Sequence, residues 1–288
     1  VCQLVKFSGS NPCTFMDTEI LATAPPRLCP GCTACKFCKS FQGQNTYLDH
    51  QRKLKMESCL TLDVAAKTWT AAYPFIQSPS MLKDNQVQVT SIGERDRAKR
   101  IRSNQFDQWM AALQECIDRG VYTPATKEEL KYTGPVFYST LVTAHKPDSE
   151  STPFRLCQNS SLKYLGVSLN DCLLPPPLPD HKLFDVLIRF RGYICGVASD
   201  LKKFYNTVHS CTEDQHLKRL MLPTDRAGPL QVYLTRRVNF GEGPAGGVAT
   251  AALLLTARIF GNRREDEIAE MCVDGKIQGS KVVADISL

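Results

Sequence analysis

The sequence Tyr193-Ile-Cys-Gly-Val-Ala-Ser-Asp200-Leu-Lys-Lys-Phe-Tyr205 changes from apolar to polar at one residue, Asp200. The apolar residues from 193 to 199 predict a short buried strand, and a helical pattern begins directly after it. A carboxylate therefore lies at the carboxyl end of a strand, and Tyr205 follows five residues later over the same end.

The sequence around this stretch mixes strands and helices without a regular strand–helix–strand repeat. Such a mixture favours an α+β fold with an antiparallel sheet. Further strands are predicted at residues 136–144, 154–158, 216–222 and 230–238. Helices are predicted for the apolar periods of residues 106–117, 183–190 and 248–260.

The first 45 residues lack a sustained period and predict an irregular Cys-rich segment, followed by a connector over residues 46–92. Two units, residues 93–185 and 186–288, complete the predicted organisation. Four cysteines of the first segment are each separated by two residues, namely Cys29, Cys32, Cys35 and Cys38. They could hold a structural zinc ion or an iron–sulfur cluster, or bind no metal, because their spacing meets neither metal template fully.

Composition limits the class of protein. Hydrophobic residues make up 43% and charged residues 22% of the 288-residue chain, which excludes disordered, collagenous and membrane-embedded classes. The longest apolar run, residues 248–257, is too short to span a bilayer. A net charge of +6 favours anionic partners. The 13 cysteines are odd in number and mostly scattered, so a reducing, intracellular compartment fits better than a disulfide framework.

Two interpretations of Asp200 are open from the residues alone. It caps the helix that follows, or it holds Mg²⁺ against the phosphates of a substrate, as the carboxylates of phosphoryl-transfer enzymes do. The local pattern does not separate these two roles.

Several motifs occur in a fixed order along the chain. They are Thr152-Pro-Phe-Arg155-Leu-Cys-Gln-Asn159-Ser-Ser, Ser168-Leu-Asn-Asp171-Cys-Leu-Leu, Leu187-Ile-Arg-Phe-Arg191, Asp200-Leu-Lys-Lys-Phe-Tyr205, Glu213-Asp-Gln-His-Leu-Lys-Arg219, Thr235-Arg-Arg-Val-Asn-Phe240-Gly241 and Pro244-Ala-Gly246. Together they resemble the reverse transcriptase of Pao/Bel-type LTR retrotransposons, and the resemblance covers about residues 90 to 288. The segment Pro25-Pro-Arg-Leu-Cys29 is similar to the Cys cluster that commonly precedes this polymerase.

The resemblance implies a fingers subdomain at 93–185 and a partial palm at 186–288, and it gives single residues roles in nucleotide binding. Asp200 would be the first catalytic aspartate and would bind two Mg²⁺ ions, with the Leu201 carbonyl as a further ligand. Tyr205 would exclude the 2′-hydroxyl of ribonucleotides, and Arg155 would lie against the triphosphate of the deoxynucleotide.

The resemblance also implies a template-primer site where small residues let nucleic acid approach the backbone. Its residues would be Phe240, Gly241, Pro244 and Gly246. Two positions depart from the family pattern: Asn159 replaces a common Asp, and a proline run at 175–179 replaces a loop that often contains glycine.

The function implied is that of a fragment of an RNA-directed DNA polymerase. The family's aromatic-x-Asp-Asp turn does not occur in these 288 residues, so we expect no polymerisation by the chain as given. Expected partners are template-primer, deoxynucleotides and the protease, RNase H and integrase domains of a polyprotein, in the cytoplasm or in virus-like particles, without a membrane. Two alternatives remain: a non-catalytic nucleic-acid-binding or assembly module from a degenerate or host-adopted retroelement, and a zinc-stabilised interaction module built on the Cys cluster.

Overall fold

A computed structural model describes residues 2–6, 47–145, 154–177, 183–192, 195–199, 201–261 and 263–284. The described strands are β1 (Cys2–Lys6), β2 (Leu60–Asp63), β3 (Thr68–Ala71), β4 (Tyr122–Pro124), β5 (Tyr138–His145), β6 (Phe154–Asn159), β7 (Cys195–Ser199), β8 (Val208–Ser210), β9 (Arg219–Leu222), β10 (Gln231–Thr235) and β11 (Lys276–Gln278). The described α-helices are α1 (Tyr47–Ser58), α2 (Gln86–Arg102), α3 (Phe106–Asp118), α4 (Lys127–Leu130), α5 (Leu169–Cys172), α6 (Leu183–Arg191), α7 (Thr212–Gln215), α8 (Ala245–Phe260), α9 (Glu265–Met271) and α10 (Gly279–Ala284).

The chain divides into two compact units. The first comprises Val1–Arg52 and Pro177–Lys203, and the second comprises Lys53–Pro176 and Phe204–Leu288. In the first unit β1 and β7 form an antiparallel pair, with Cys2 opposite Ser199. This division differs from the predicted boundaries at residues 93 and 186, because the strands that complete each sheet come from distant parts of the sequence.

A five-stranded sheet of the second unit has the strand order β4-β10-β9-β5-β6. Its neighbours are antiparallel except β5 and β9, which run parallel. Successive side chains of β9 point in opposite directions. Leu220 and Leu222 therefore lie on one face of β9 and pack in a core with residues of α3, namely Phe106, Trp109 and Leu113. Met221, between these two leucines, lies on the opposite face and packs with Val89 of α2.

A four-stranded sheet with the order β11-β2-β3-β8 forms the other part of this unit. Helix α8 packs on it through Val248, Leu255 and Ile259, which are fully buried. The indole Nε1 of Trp69 donates a hydrogen bond of 2.8 Å to the Thr256 hydroxyl, so this buried polar group is satisfied. Because α8 begins at Ala245, its packing fixes where the preceding residues 240–244 end.

The α+β class predicted from the sequence is confirmed. Strands β5 with β6 and β9 with β10 pair antiparallel as expected, with Gln231 opposite Leu222 in the second pair. Two parallel pairs, β5 with β9 and β3 with β8, were not predicted. Residues 216–218 form a 3₁₀ turn rather than the start of a strand, and β9 begins only at Arg219.

Two local predictions were wrong. Residues 46–92 are more than a connector, because they contain α1, β2, β3 and the start of α2, and Leu60 and Leu62 lie in the core. The helix predicted after Asp200 is only a 3₁₀ turn at Phe204–Thr207. Lys203 has φ of 56°, a left-handed conformation that ends any helical run before Tyr205.

None of the helices in the described ranges combines the length and the apolar character that crossing a membrane requires.

Candidate functional site

Tyr205 and Phe240 form an aromatic pair in the second unit. Their ring centroids are 4.4 Å apart and their planes are inclined by 57°. Tyr205 also packs against the core beneath α8, whereas 44% of Phe240 is exposed. A Cβ atom added to Gly246 would lie 3.6 Å from the Tyr205 hydroxyl. The structure therefore brings together three of the predicted site residues that are up to 41 positions apart in the sequence.

The glycine segment, residues 240–246, lies directly against β6. The Gln158 amide donates a hydrogen bond of 2.7 Å to the Phe240 carbonyl. Gly241 has φ of 98°, and a Cβ atom at this position would overlap the Gln158 carbonyl. Only glycine fits both this conformation and this close approach. The backbone of Phe240, whose side chain is 44% exposed, is therefore held against β6.

Asn170 of α5 holds the glycine segment from the other side. Its Nδ2 donates to the Gly241 carbonyl at 3.1 Å, and its Oδ1 accepts from the Gly243 amide at 2.8 Å. The side chains of Ser168 and Asp171 complete a capping box that fixes the start of α5. The motif Ser168-Leu-Asn-Asp171, found in the sequence without an assigned role, thus positions the glycine segment.

A buried ion pair anchors the centre of the same segment. Lys218 Nζ lies 2.9 Å from Glu242 Oε1, and both side chains are 0% exposed. The ammonium group also donates to Tyr73 Oη at 2.8 Å, Ser210 Oγ at 2.6 Å and the Arg237 carbonyl at 3.0 Å. The Tyr73 hydroxyl donates in turn to Glu242. The Arg237 carbonyl can only accept, and the Tyr73 hydroxyl accepts from Lys218 because its own proton is donated to Glu242, so the geometry favours the charged ammonium form.

Burial opposes the charge on both members of this pair. Desolvation lowers the pKa of Lys218 to about 7, although nearby Asp214 acts in the opposite direction. Desolvation also raises the pKa of Glu242 well above its ordinary value, with a smaller opposing effect from the Asn239 amide. The pair is therefore held by its hydrogen bonds, and loss of either partner leaves a buried polar group without compensation. Sequence reasoning missed both residues, because a charged pair separated by 24 positions has no local signature.

The other predicted residues have different surroundings. Arg155 lies on β6 opposite Ala144 with its side chain exposed, three residues before Gln158. Leu201 belongs to the first unit and its side chain is 50% exposed. Pro244 is buried at the start of α8, where its carbonyl accepts from the Val248 amide at 2.9 Å.

The predicted metal ligands lie outside the described residues. These are Asp200, for Mg²⁺, and Cys29, Cys32, Cys35 and Cys38, for zinc. In the part of the chain that the structure describes, no group of three or more His, Cys, Asp or Glu side chains is arranged to hold a metal ion.

Replacing Asn170 by alanine is expected to lower the free energy of unfolding by about 1–2 kcal/mol, because two hydrogen bonds to the glycine segment are lost. Urea denaturation measures this loss, and faster hydrogen exchange of the Gly243 amide locates it. Asn159→Ala is the matched control, since this nearby asparagine lies at the end of β6 and accepts from the Leu162 amide through its backbone carbonyl, which the substitution keeps. Equal effects of the two substitutions would contradict the positioning role of Asn170.

No protein-family model matches this chain, and no curated protein matches it.

Proposed function

We propose that this chain is part of an RNA-directed DNA polymerase and that the aromatic pair and the glycine segment contact the template-primer. One observation carries the proposal. Residues to which the resemblance gives a role at the template-primer and the nucleotide, Tyr205, Phe240, Gly241 and Gly246, adjoin one another in the structure. Local sequence patterns did not require this proximity.

The chemistry of the surface suits a nucleic acid. Phe240 offers a partly exposed aromatic face, on which a base or sugar can stack. Gly241 and Gly243 are exposed on either side of the buried Glu242. Because glycine has no side chain, a ligand can approach the backbone directly at these two residues. The hydrogen bonds of Asn170 and Gln158 keep this backbone in place before a ligand arrives.

The surroundings of Tyr205 and Arg155 support a polymerase over a general nucleic-acid-binding protein. Tyr205 is packed between Phe240 and the core, so its ring is fixed as a sugar-selecting residue would have to be. Arg155 is exposed on the strand that contacts the glycine segment and is available to a triphosphate. Asp200 is proposed as a ligand of Mg²⁺, which would stabilise the charge on the transferred phosphoryl group.

Binding of a fluorescent RNA–DNA template-primer tests the proposal. We expect Phe240→Ala to weaken binding by about 1–3 kcal/mol, because one stacking surface is lost. Fluorescence anisotropy at fixed salt measures the change. Phe260→Ala is the matched control, since Phe260 is exposed to a similar extent, 46%, at the far end of α8.

The outcomes separate three conclusions. Failure of the wild-type chain to bind the template-primer would reject the proposed function. Equal weakening by Phe240→Ala and Phe260→Ala would reject the site. Tighter binding on addition of Mg²⁺ and the deoxynucleotide complementary to the template supports a polymerase, whereas salt-dependent binding that responds to neither favours the non-catalytic module.

A further inference from the structure

Two arginines of the second unit converge on Asn206. Nη1 of Arg119, the residue that follows α3, donates to Asn206 Oδ1 at 3.4 Å. Nη1 of Arg237 donates to the Asn206 carbonyl at 3.1 Å. We call Arg119 and Arg237 the arginine pair. Because both guanidinium groups contact the same residue, their like charges repel each other, and an anion beside them would be stabilised.

Arg237 retains hydrogen-bonding capacity that the protein does not use. Its Nε is buried without a hydrogen-bond partner, and Asn206 is the acceptor that its guanidinium contacts. Among the described residues no carboxylate forms an ion pair with it. Burial, and to a lesser extent the charge of Arg119, lowers the pKa of Arg237. The buried Nε is closed to solvent, so a negatively charged acceptor would bond to the Nη groups of this partly desolvated arginine.

The arginine pair adjoins the aromatic pair. Asn206 follows Tyr205 in the chain, and its Nδ2 donates to the Val238 carbonyl at 2.9 Å. Arg237 itself precedes Phe240 by three residues. Asn206 thus links the arginine pair to the segments that carry Tyr205 and Phe240.

The net charge around the arginine pair determines which kind of phosphate group it can bind. Glu115 Oε1 lies 3.5 Å from Arg119 Nε and balances one of the two positive charges. Burial and the charge of Arg237 lower the pKa of His209, so this neighbouring imidazole is neutral at pH 7. The remaining charge is close to +1, which matches a phosphodiester with its single negative charge. A nucleoside triphosphate carries several negative charges and would be poorly balanced here.

We propose that Arg119 and Arg237 bind one phosphodiester group of the template-primer backbone, beside the position where Phe240 contacts it. This inference rests on the proposed function for the identity of the nucleic acid. Its contacts would be with phosphate oxygens, so they position the strand without reading its sequence.

The salt dependence of template-primer binding tests the inference. The dissociation constant is measured by anisotropy at several NaCl concentrations for the wild-type chain, Arg237→Gln, Arg119→Gln and Arg237→Lys. Loss of one phosphate contact is expected to weaken binding roughly fivefold to tenfold at low salt and to reduce the log–log salt slope by about 0.9. Arg237→Lys keeps the charge and should keep the slope. Arg226→Gln removes the same charge from an exposed arginine paired with Asp107 and is the matched control.

Each outcome supports or overturns the inference. The inference is supported if Arg237→Gln or Arg119→Gln reduces the salt slope while Arg226→Gln keeps the wild-type slope. Two variants are used so that the test still holds if one of them does not fold. Slopes equal to the wild-type value for both variants overturn the inference and leave the proposed function intact. Absence of wild-type binding overturns both. A third result also overturns the inference. If tripolyphosphate displaces the template-primer from the wild-type chain and the variants keep the wild-type salt slope, the arginine pair binds a triphosphate.

Discussion

Replacement of Lys218 by methionine is expected to lower the free energy of unfolding by about 3–5 kcal/mol. Methionine fills much of the same volume but leaves Glu242, which is 0% exposed, without its counter-ion. It also leaves Ser210 Oγ and the Arg237 carbonyl without the donor that they share. This loss is a large part of the 5–15 kcal/mol by which a domain is typically stable, so chemical denaturation followed by tryptophan fluorescence would detect it readily.

Lys163→Met provides the matched control. Lys163 forms an ion pair with Asp171 at 3.7 Å, but its side chain is 63% exposed. An exposed pair of this kind contributes at most about 1 kcal/mol, so the control should stay close to the wild type. Equal effects of the two lysine substitutions would show that the buried pair does not stabilise the fold.

A double variant separates the loss of the ion pair from the loss of packing. In Lys218→Met with Glu242→Met the uncompensated carboxylate is also removed, so part of the stability lost in the single variant should return. A double variant less stable than the single one would indicate that Glu242 acts chiefly through Tyr73, whose hydroxyl donates to it.

Replacement of Gly241 by alanine is expected to destabilise the protein by about 3–5 kcal/mol, or to displace the glycine segment from β6 at a similar cost. The added Cβ would overlap the Gln158 carbonyl, and φ of 98° is unfavourable for any residue with a side chain. Displacement would break the hydrogen bond from the Gln158 amide to the Phe240 carbonyl. Denaturation measures the total loss, and hydrogen exchange of the Gln158 amide detects the displacement.

Gly120→Ala separates the cost of the positive φ from the cost of the contact with Gln158. Gly120 also has a positive φ, 64°, but a Cβ atom there would meet nothing within 4 Å. Its replacement should therefore cost only the conformational strain, about 1–2 kcal/mol. If both glycine substitutions cost the same, contact with Gln158 does not constrain Gly241.

The two variants with large effects also bear on the proposed function. Lys218 and Gly241 fix the glycine segment from within, and neither offers a side chain to a ligand. We interpret the segment as a rigid surface, although its glycine content alone would suggest a flexible loop. The physical reason is that its backbone bonds to Gln158 of β6 and Asn170 of α5, and its one charged residue, Glu242, bonds to Lys218 and Tyr73.

The sequence by itself was sufficient where a structure depends on neighbours a few residues away. The apolar period from Phe106 to Ile117 predicted α3, which ends one residue later at Asp118. Residues 154–158 likewise predicted β6 to within one residue. In each case the spacing of apolar residues identifies the helix or strand, even though the elements that it packs against are not known from the sequence.

Only the tertiary structure decided which of these elements meet and which side chains hold the site. Tyr73 and Glu242 are 169 positions apart, and Asn170 and Gly241 are 71 positions apart. Strand β2 was predicted as a connector because four residues give too short a pattern, and its partner β11 lies more than 200 positions further along the chain. The local sequence pattern predicts whether a side chain is buried or exposed. Which residue it contacts depends on how distant parts of the chain pack together. The motifs thus named the residues of the candidate site, and the fold alone showed that Asn170, Lys218 and Glu242 hold them in place.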